Sequence, residues 1–352
     1  MALKGEKKFM EMALKLALKG QGFVSPNPMV GAVVVKGGKA VGKGWHKRFG
    51  GKHAEINALD EAGRKAKGAD LYVTLEPCSH YGKQPPCTKS IVKAGIKRVF
   101  VAMNDPNPVS KHGGKELERR GIRVLTGLCR SEAEKLNEFY ITSLRKARPF
   151  IALKIAMSID AKISYGNMRG KKISGKKAFE FTQDLRKKFD AVLVGVNTVI
   201  LDNPGLDVRG KPELNPRRIV LDSGARTPLN SKIFSLKGET IIACTRNAPG
   251  ERLEQLRERG AEIIVCGRGR KVDLKTLMKK LYGKGVRSVL VEAGSETAAS
   301  FLGQKLFDKV FIVVAGRRIG EGLEAFRLER KVKAKISKTK KLGKDLLLEI
   351  EG

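Results

Sequence analysis

Three short stretches in the first quarter of the chain restrict its fold and chemistry more than any other feature. They are His53-Ala54-Glu55, Pro77-Cys78 and Pro86-Cys87. Imidazole nitrogen and thiolate sulfur are zinc ligands, and a catalytic zinc ion keeps its fourth position for water. One histidine and two cysteines supply three protein ligands. We therefore predict one Zn²⁺ per chain, bound by His53, Cys78 and Cys87.

Glu55, two residues beyond the histidine, provides the carboxylate that such a site needs for proton transfer. Zinc lowers the pKa of a bound water toward neutrality and so yields hydroxide. Glu55 is then the catalytic acid–base, taking a proton from the water and passing it to a ring nitrogen and to the departing amine. Histidine-x-glutamate with Pro-Cys pairs is the signature of zinc deaminases. The competing interpretation treats the cysteines as small core residues and the histidine as a surface residue.

Strands and helices alternate in the first part of the chain, which predicts a largely parallel sheet covered on both faces. The predicted strands are 30–35, 40–44, 70–75, 98–103 and 122–125, and the predicted helices are 53–66, 87–94, 115–120 and 131–144. His53 and Cys87 open two of these helices, and Cys78 directly follows a strand. Ligands that enter from such positions can converge on one point.

Length and a renewed alternation of strands and helices predict a second α/β domain, with strands expected at 150–156, 191–196, 218–221, 240–244, 262–266, 288–291, 310–314 and 346–350. A chain of 352 residues is long for one core, and a fresh strand begins at Phe150 after the basic segment 145–149. We place the domains at 1–146 and 147–352. All four histidines lie in the first domain, so a cofactor is expected to supply the chemistry of the second. The second domain has no Gly-x-Gly-x-x-Gly after a strand, but Gly294 lies where a predicted strand runs into a helix.

The formal net charge of +35 invites a nucleic-acid interpretation, because basic chains bind phosphate backbones. However, the lysines and arginines are spread over the full length, and aromatic residues make up only 6% of the chain. No nucleic-acid partner is therefore expected. A basic surface also suits a phosphorylated small substrate by steering it electrostatically. No apolar run reaches the length of a membrane span, and five cysteines without a framework spacing favour a reducing cytoplasm.

Several longer motifs occur in order along the chain and cover nearly all of it. They are Ser25-Pro-Asn-Pro-Met-Val-Gly31, Gly44-Trp-His46, Thr74-Leu-Glu-Pro-Cys78 through Pro-Pro-Cys87, Asp105-Pro-Asn-Pro108, Leu153-Lys-Ile-Ala-Met-Ser-Ile-Asp160, Asp202-Asn-Pro204 and Val291-Glu-Ala-Gly294. In these motifs the chain resembles the RibD family of bifunctional riboflavin biosynthesis enzymes. The eight residues between Cys78 and Cys87 are specific to this branch of the deaminases.

The resemblance implies two folds and two reactions. An N-terminal three-layer α/β/α cytidine-deaminase-like domain would hydrolyse the 2-amino group of 2,5-diamino-6-(5-phosphoribosylamino)pyrimidin-4(3H)-one. A C-terminal dihydrofolate-reductase-like α/β domain would then use NADPH to reduce the ribosyl side chain to ribityl. The phosphorylated pyrimidine would be the partner, and a homo-oligomer is left open. The alternative is a zinc deaminase acting on tRNA or another nucleic acid, with a degenerate second domain.

The resemblance also assigns individual residues. The positions that match substrate contacts are Asn27, His46, Lys154, Arg186, Arg209 and Glu292. The positions that match cofactor contacts are Met157, Lys172, Thr198, Asp202, Ser223, Gly294, Ser295, Glu296, Thr297, Ala298, Ala299 and Ser300. Other roles stay open: Asn27 could cap a turn, His46 could lie on the surface, and either arginine could belong to a solvated face. Two departures from the family pattern border the expected cofactor pocket, namely Ala161 in place of glycine and Lys172 in place of tryptophan.

Overall fold

The computed structural model describes residues 2–82, 85–110, 112–164, 173–326 and 335–352, with no account of the side chains of residues 2–4. The chain divides into two compact units, Met1–Lys146 and Ala147–Gly352. In the described part of the chain, no helix combines the length and apolar character needed to cross a membrane.

The first unit is built on a five-stranded sheet. Its strands are β1 (Gly31–Lys36), β2 (Lys39–Trp45), β3 (Asp70–Leu75), β4 (Arg98–Met103) and β5 (Arg123–Thr126). The strand order is β2-β1-β3-β4-β5. Strand β1 is antiparallel to both β2 and β3, whereas β3, β4 and β5 run parallel. Strands β1 and β2 form a hairpin, and Gly37 and Gly38 at its turn both have a positive φ, which glycine adopts without steric cost.

Helices cover both faces of this sheet. They are α1 (Ala2–Ala17), α2 (Ala54–Ala62), α3 (Cys87–Lys93), α4 (Gly113–Arg119), α5 (Arg130–Leu136) and α6 (Glu138–Lys146). Alternate residues of a strand point to opposite faces. Accordingly, Ala32 and Val34 pack in one core with α2 and α3, while Val33 and Val35 pack in the other with α1 and α6. This is the predicted three-layer arrangement.

Two glycines on β2 bring helix α2 unusually close to the sheet. A Cβ atom at Gly42 would lie 2.2 Å from the carbonyl oxygen of Ala58, and one at Gly44 would lie 2.2 Å from that of Ala54. Gly42 and Gly44 are two residues apart and so share a face of the strand, while the alanines recur every four residues along α2. Small side chains on both elements therefore set the position of the start of α2, where His53 is the N-cap.

The second unit has a nine-stranded sheet. Its strands are β6 (Phe150–Ser158), β7 (Ala191–Gly195), β8 (Arg217–Leu221), β9 (Thr240–Cys244), β10 (Ala261–Val265), β11 (Ser288–Glu292), β12 (Lys309–Ala315), β13 (Lys335–Leu342) and β14 (Asp345–Glu351). The order is β10-β9-β8-β7-β11-β6-β12-β14-β13. The first seven strands of that order are parallel, and the last two are antiparallel.

Helices also flank the second sheet. They are α7 (Lys176–Arg186), α8 (Val196–Asp202), α9 (Lys232–Ser235), α10 (Gly250–Glu258), α11 (Leu274–Gly283) and α12 (Ser295–Gly303). One core joins Leu193 and Val291 to helices α11 and α12. The other joins Val192 and Val220 to helices α8 and α10. The prediction of two α/β domains is therefore confirmed.

Two differences from the sequence prediction have a clear physical reason. The helix predicted over 131–144 is divided into α5 and α6 at Asn137, whose side chain bonds to both backbone groups of Met29. Strand β13 was not predicted. Seven of its eight residues are exposed, so the hydrophobic alternation that marks a half-buried strand is missing.

Candidate active sites

The structure brings the three predicted metal ligands together. His53, Cys78 and Cys87 each offer one ligand atom, and these atoms all lie within 4.8 Å of one another. The Nδ1 atom of His53 is 3.2 Å from the Sγ of Cys87 and 3.6 Å from the Sγ of Cys78. The set of one imidazole and two sulfurs is the donor set that zinc accepts while keeping a position for water. These residues are therefore suited to hold zinc.

The surroundings of Cys78 favour the thiolate form of its side chain. The side chain of Cys87 donates toward the sulfur of Cys78, and His53 also donates to it. These contacts outweigh the effect of burial and lower the pKa of Cys78 to about 4. The backbone N–H of Cys87 lies 3.4 Å from the same sulfur. Cys78 is thus held as a thiolate, the form that binds metal.

Glu55 lies in the first turn of α2, and its side chain is only 4% exposed. Burial raises the pKa of its carboxyl group to about 7, partly opposed by the positive charge of His53. A carboxyl with a pKa near neutrality can both accept and return a proton at physiological pH. Its burial beside the ligand cluster is what a proton-transferring residue requires.

His46 and Asn27 form a hydrogen-bonded pair next to this cluster. The His46 ring lies edge-on to that of His53, with centroids 5.6 Å apart. Its Nδ1 is 3.1 Å from the carbonyl oxygen of Lys52, which can only accept, so Nδ1 carries the proton. Its Nε2 then accepts from the Nδ2 of Asn27 at 3.1 Å. Burial lowers the pKa of His46. Because His46 is buried, its interpretation as a surface residue is wrong.

Two asparagines that were not predicted as site residues from the sequence help to fix the position of the hydrogen-bonded pair of His46 and Asn27. Asn137 accepts from the backbone N–H of Met29 at 2.8 Å and donates to its carbonyl at 3.0 Å, two residues from Asn27. Asn57 of α2 donates to the carbonyl of Trp45 at 2.9 Å, one residue from His46. Asn137 is 108 positions from Met29, so no local pattern could have revealed the contact.

In the second unit, three of the predicted substrate residues meet. Lys154 on β6 and Glu292 on β11 are direct neighbours in the sheet. The carboxylate of Glu292 forms a two-pronged ion pair with Arg186 at the end of α7, with N–O distances of 2.6 and 2.9 Å. The remaining terminal nitrogen of Arg186 donates to the carbonyl of Asp207 at 3.0 Å. The solvated-face interpretation is therefore wrong for Arg186.

Arg209 lies beside the same helix but is exposed. Its backbone N–H donates to Gln183 at 2.8 Å, and its guanidinium lies over the ring of Phe179, 4.5 Å from the centroid. Phe179, Gln183 and Arg186 are spaced at one helical turn along one face of α7. The segment around Arg209 therefore follows that face.

The described cofactor candidates lie at the carboxyl ends of four adjacent parallel strands, ordered β8-β7-β11-β6. Met157 is near the end of β6, Thr198 and Asp202 lie on α8 after β7, Ser223 follows β8, and Gly294, Ser295, Glu296, Thr297, Ala298, Ala299 and Ser300 follow β11 into α12. Open parallel sheets bind ligands at this edge. Lys172 lies outside the described residues.

The start of α12 has two features that suit a bound anion. The Ser295 hydroxyl is buried and has no hydrogen-bond partner among the described residues. A Cβ atom at Gly195 would lie 2.9 Å from the Thr297 hydroxyl, so the end of β7 lies directly against the first turn of the helix. Free N–H groups at a helix start are a ready site for phosphate.

Comparison with known proteins finds a family match for each unit. Residues 3–103 match the cytidine and deoxycytidylate deaminase zinc-binding region, and residues 149–348 match the RibD C-terminal domain. The fold and site thus define a zinc-type deaminase joined to a reductase. The chain belongs to the RibD family of riboflavin biosynthesis proteins, and it is a bifunctional deaminase and reductase.

Relatives match over almost the full length. The riboflavin biosynthesis protein RibD of Aquifex aeolicus is 43% identical, with 97% of each chain covered. The Escherichia coli protein of the same name is 36% identical, with 98% of each covered. The solved Acinetobacter baumannii RibD superposes with a TM-score of 0.91 at 33% identity, covering 99% of both chains.

A solved Thermotoga maritima protein covers 100% of this chain and 99% of its own, with a TM-score of 0.87 and 36% identity. It is described as a diaminohydroxyphosphoribosylaminopyrimidine deaminase and 5-amino-6-(5-phosphoribosylamino)uracil reductase. The predicted role in riboflavin biosynthesis is confirmed, and the nucleic-acid alternative has no support.

Proposed function

We propose that the first unit hydrolyses the 2-amino group of 2,5-diamino-6-(5-phosphoribosylamino)pyrimidin-4(3H)-one, and that the second reduces the ribosyl group of the product to ribityl with NADPH. The observation that carries the first half is the convergence of His53, Cys78 and Cys87 beside the buried carboxyl of Glu55. The description of the Thermotoga maritima relative supports the choice of substrate.

For the deamination, His53, Cys78 and Cys87 are the proposed zinc ligands, and zinc supplies an activated water when it is bound. Glu55 accepts the proton of that water and delivers it to the ring nitrogen next to the amine. It then takes the remaining proton of the same oxygen and passes it to the amine, so that the C–N bond breaks, a carbonyl forms at C2 and ammonia departs. A pKa of about 7 suits both directions of transfer.

Asn27 and His46 are the proposed ring-binding residues. Because Nε2 of His46 accepts from one N–H of Asn27, the amide of Asn27 is held in one orientation. Its oxygen and its second N–H then remain for the edge of the pyrimidine. An amide that both accepts and donates can read adjacent ring groups.

For the reduction, NADPH supplies the hydride when it is bound, and the start of α12 is the proposed site of its pyrophosphate. Thr198, Asp202 and Ser223 are proposed to line the rest of the cofactor site. Lys154 and Glu292 are proposed to contact the sugar. Burial lowers the pKa of Lys154, partly opposed by Glu292, which makes its ammonium a better proton donor to the sugar oxygen.

The two arginines are proposed to have different roles. The guanidinium nitrogens of Arg186 already bind Glu292 and the carbonyl of Asp207. Arg186 therefore orients the carboxylate of Glu292 and is not the residue proposed to bind the substrate phosphate. Arg209 is exposed and is the proposed phosphate contact, since guanidinium matches phosphate geometry.

The deciding experiment follows both steps on the diaminopyrimidine phosphate. Zinc content of the purified protein is measured, and products are identified by mass spectrometry with and without NADPH. The expected result is the loss of one amino group without NADPH, and reduction of the sugar only when NADPH is added. Tight, salt-sensitive RNA binding with no turnover of the pyrimidine would overturn the proposal. A cytoplasmic location is proposed as well, because five cysteines without a disulfide suit a reducing compartment.

A further inference from the structure

Glu76 links three segments of the first unit immediately before the ligand Cys78. Its Oε1 accepts from the backbone N–H of Gly114 at 3.0 Å, and its Oε2 accepts from that of Asp105 at 3.4 Å. Its own backbone N–H donates to the carbonyl of Met103 at 2.9 Å. One side chain thus ties the end of β3 to the loop after β4 and to the first turn of α4.

The two residues after Glu76 are enclosed by helix starts. A Cβ atom at Gly113 would lie 1.7 Å from the carbonyl oxygen of Pro77, so α4 begins directly against this peptide. The carbonyl of Cys78 accepts from the backbone N–H of Thr88 at 3.3 Å. Pro77 and Cys78 are therefore held between the starts of α4 and α3.

We propose that Glu76 is a positioning residue for the metal ligand Cys78, a role that rests on the zinc centre proposed above. Cys78 belongs to an irregular segment outside the strands and helices, so the contacts that hold the preceding backbone contribute to the position of its sulfur. The carboxylate of Glu76 is the group that bonds this segment to α4 and to the loop after β4. Groups that hydrogen-bond to metal ligands orient those ligands, and their loss typically costs about 10- to 100-fold in metal affinity. Glu76 acts through the backbone of the segment that bears the ligand, so we expect an effect at the lower end of that range.

A matched control is available in the same part of the molecule. Glu76 lines a cleft of about 300 Å³ that also includes Glu118 and Lys115. Glu118 is exposed and lies on α4 beyond the first turn. Its removal takes the same charge from the same cleft without touching the segment that bears Cys78. A general electrostatic effect on the metal would therefore appear in both variants, and a positioning effect only in the Glu76 variants.

The test uses the full chain with Glu76→Ala, Glu76→Gln and Glu118→Gln. Zinc affinity is measured by chelator competition, and the thiolate-to-cobalt absorption band is recorded after loading with Co²⁺. We expect Glu76→Ala to lower zinc affinity at least about tenfold and to alter the cobalt band. The zinc affinity of Glu76→Gln should lie between those of Glu76→Ala and the parent protein, because its amide oxygen still accepts a hydrogen bond from one of the two N–H groups. Glu118→Gln should match the parent protein in both measurements.

Wild-type affinity and an unchanged cobalt band in Glu76→Ala would overturn the positioning role. If that variant does not fold, as judged by circular dichroism, Glu76→Gln decides by the same two readouts. A parent protein that binds neither metal would overturn the zinc centre and this role together. If the parent protein and Glu76→Ala bind zinc with the same affinity, only the positioning role of Glu76 is overturned.

Discussion

The guanidinium of Arg186 and the carboxylate of Glu292 face each other through two hydrogen bonds of 2.6 and 2.9 Å. Burial acts to raise the pKa of Glu292, but the charge and hydrogen bonds of Arg186, with the charge of Lys154, outweigh it and lower the pKa below its ordinary 4.5. The native state therefore binds fewer protons than the unfolded state. The stabilisation is fully present above pH 4.5 and is lost as the pH falls through the folded-state pKa.

We accordingly expect Glu292→Gln to weaken hydrogen-exchange protection of β6 and β11 at pH 7. The difference from the parent should shrink as the pH is lowered below 4.5, because protonation removes the same charge from the parent. Exchange is followed by mass spectrometry on peptides covering the two strands, with Glu258→Gln, an exposed carboxyl on α10, as the control. A difference that stays constant with pH would contradict the assignment of Glu292.

The proton-transfer role of Glu55 predicts a selective loss of one activity. Glu55→Gln keeps the shape of the side chain but cannot carry a proton, so ammonia release should fall by about 10²- to 10⁴-fold. Zinc content and the reductase rate on the deaminated substrate should stay at parental values, and both are measured on the same sample. Normal deamination by this variant would rule out the role.

The ligand assignment predicts that Cys87→Ser loses zinc. A serine hydroxyl stays protonated at neutral pH and does not replace a thiolate. Metal content is measured by elemental analysis after dialysis, with Cys129→Ser as the control, since Cys129 is a half-buried thiol outside the ligand cluster. Full zinc retention by Cys87→Ser would show that this cysteine is not a ligand.

The backbone conformation of Ala161 predicts that replacing this residue with glycine stabilises the protein. Its φ is +58°, a left-handed conformation that costs a residue with a Cβ about 1–2 kcal/mol. Glycine removes that cost but gives up about 0.5–1 kcal/mol of unfolded-chain entropy. Ala161→Gly should therefore raise the free energy of unfolding by up to about 1.5 kcal/mol, measured by denaturant titration. Ala248→Gly, at a buried position of ordinary φ, should lower it.

The clustering of His53, Cys78 and Cys87 could be predicted from the sequence, because a zinc site of this type uses particular residue types at short, fixed spacings. The alternation of strands and helices was equally accessible, since it depends on local periodicity. Strand β13 could not be predicted in this way, because it is an exposed edge strand that pairs with β14 and has no apolar pattern. The division of α5 from α6 at Asn137 also depends on a distant partner.

The sequence by itself determined which groups are the candidates for the chemistry of the first unit: His53, Cys78, Cys87 and Glu55. The tertiary structure alone decided how others are used. It joined Arg186 to Glu292 across 106 positions and left Arg209 exposed. It also turned the carboxylate of Glu76 toward the backbone N–H groups of Asp105 and Gly114. The physical reason is that a hydrogen bond or ion pair depends on distances in space, and residues far apart in the chain acquire those distances only when the sheet brings their elements together.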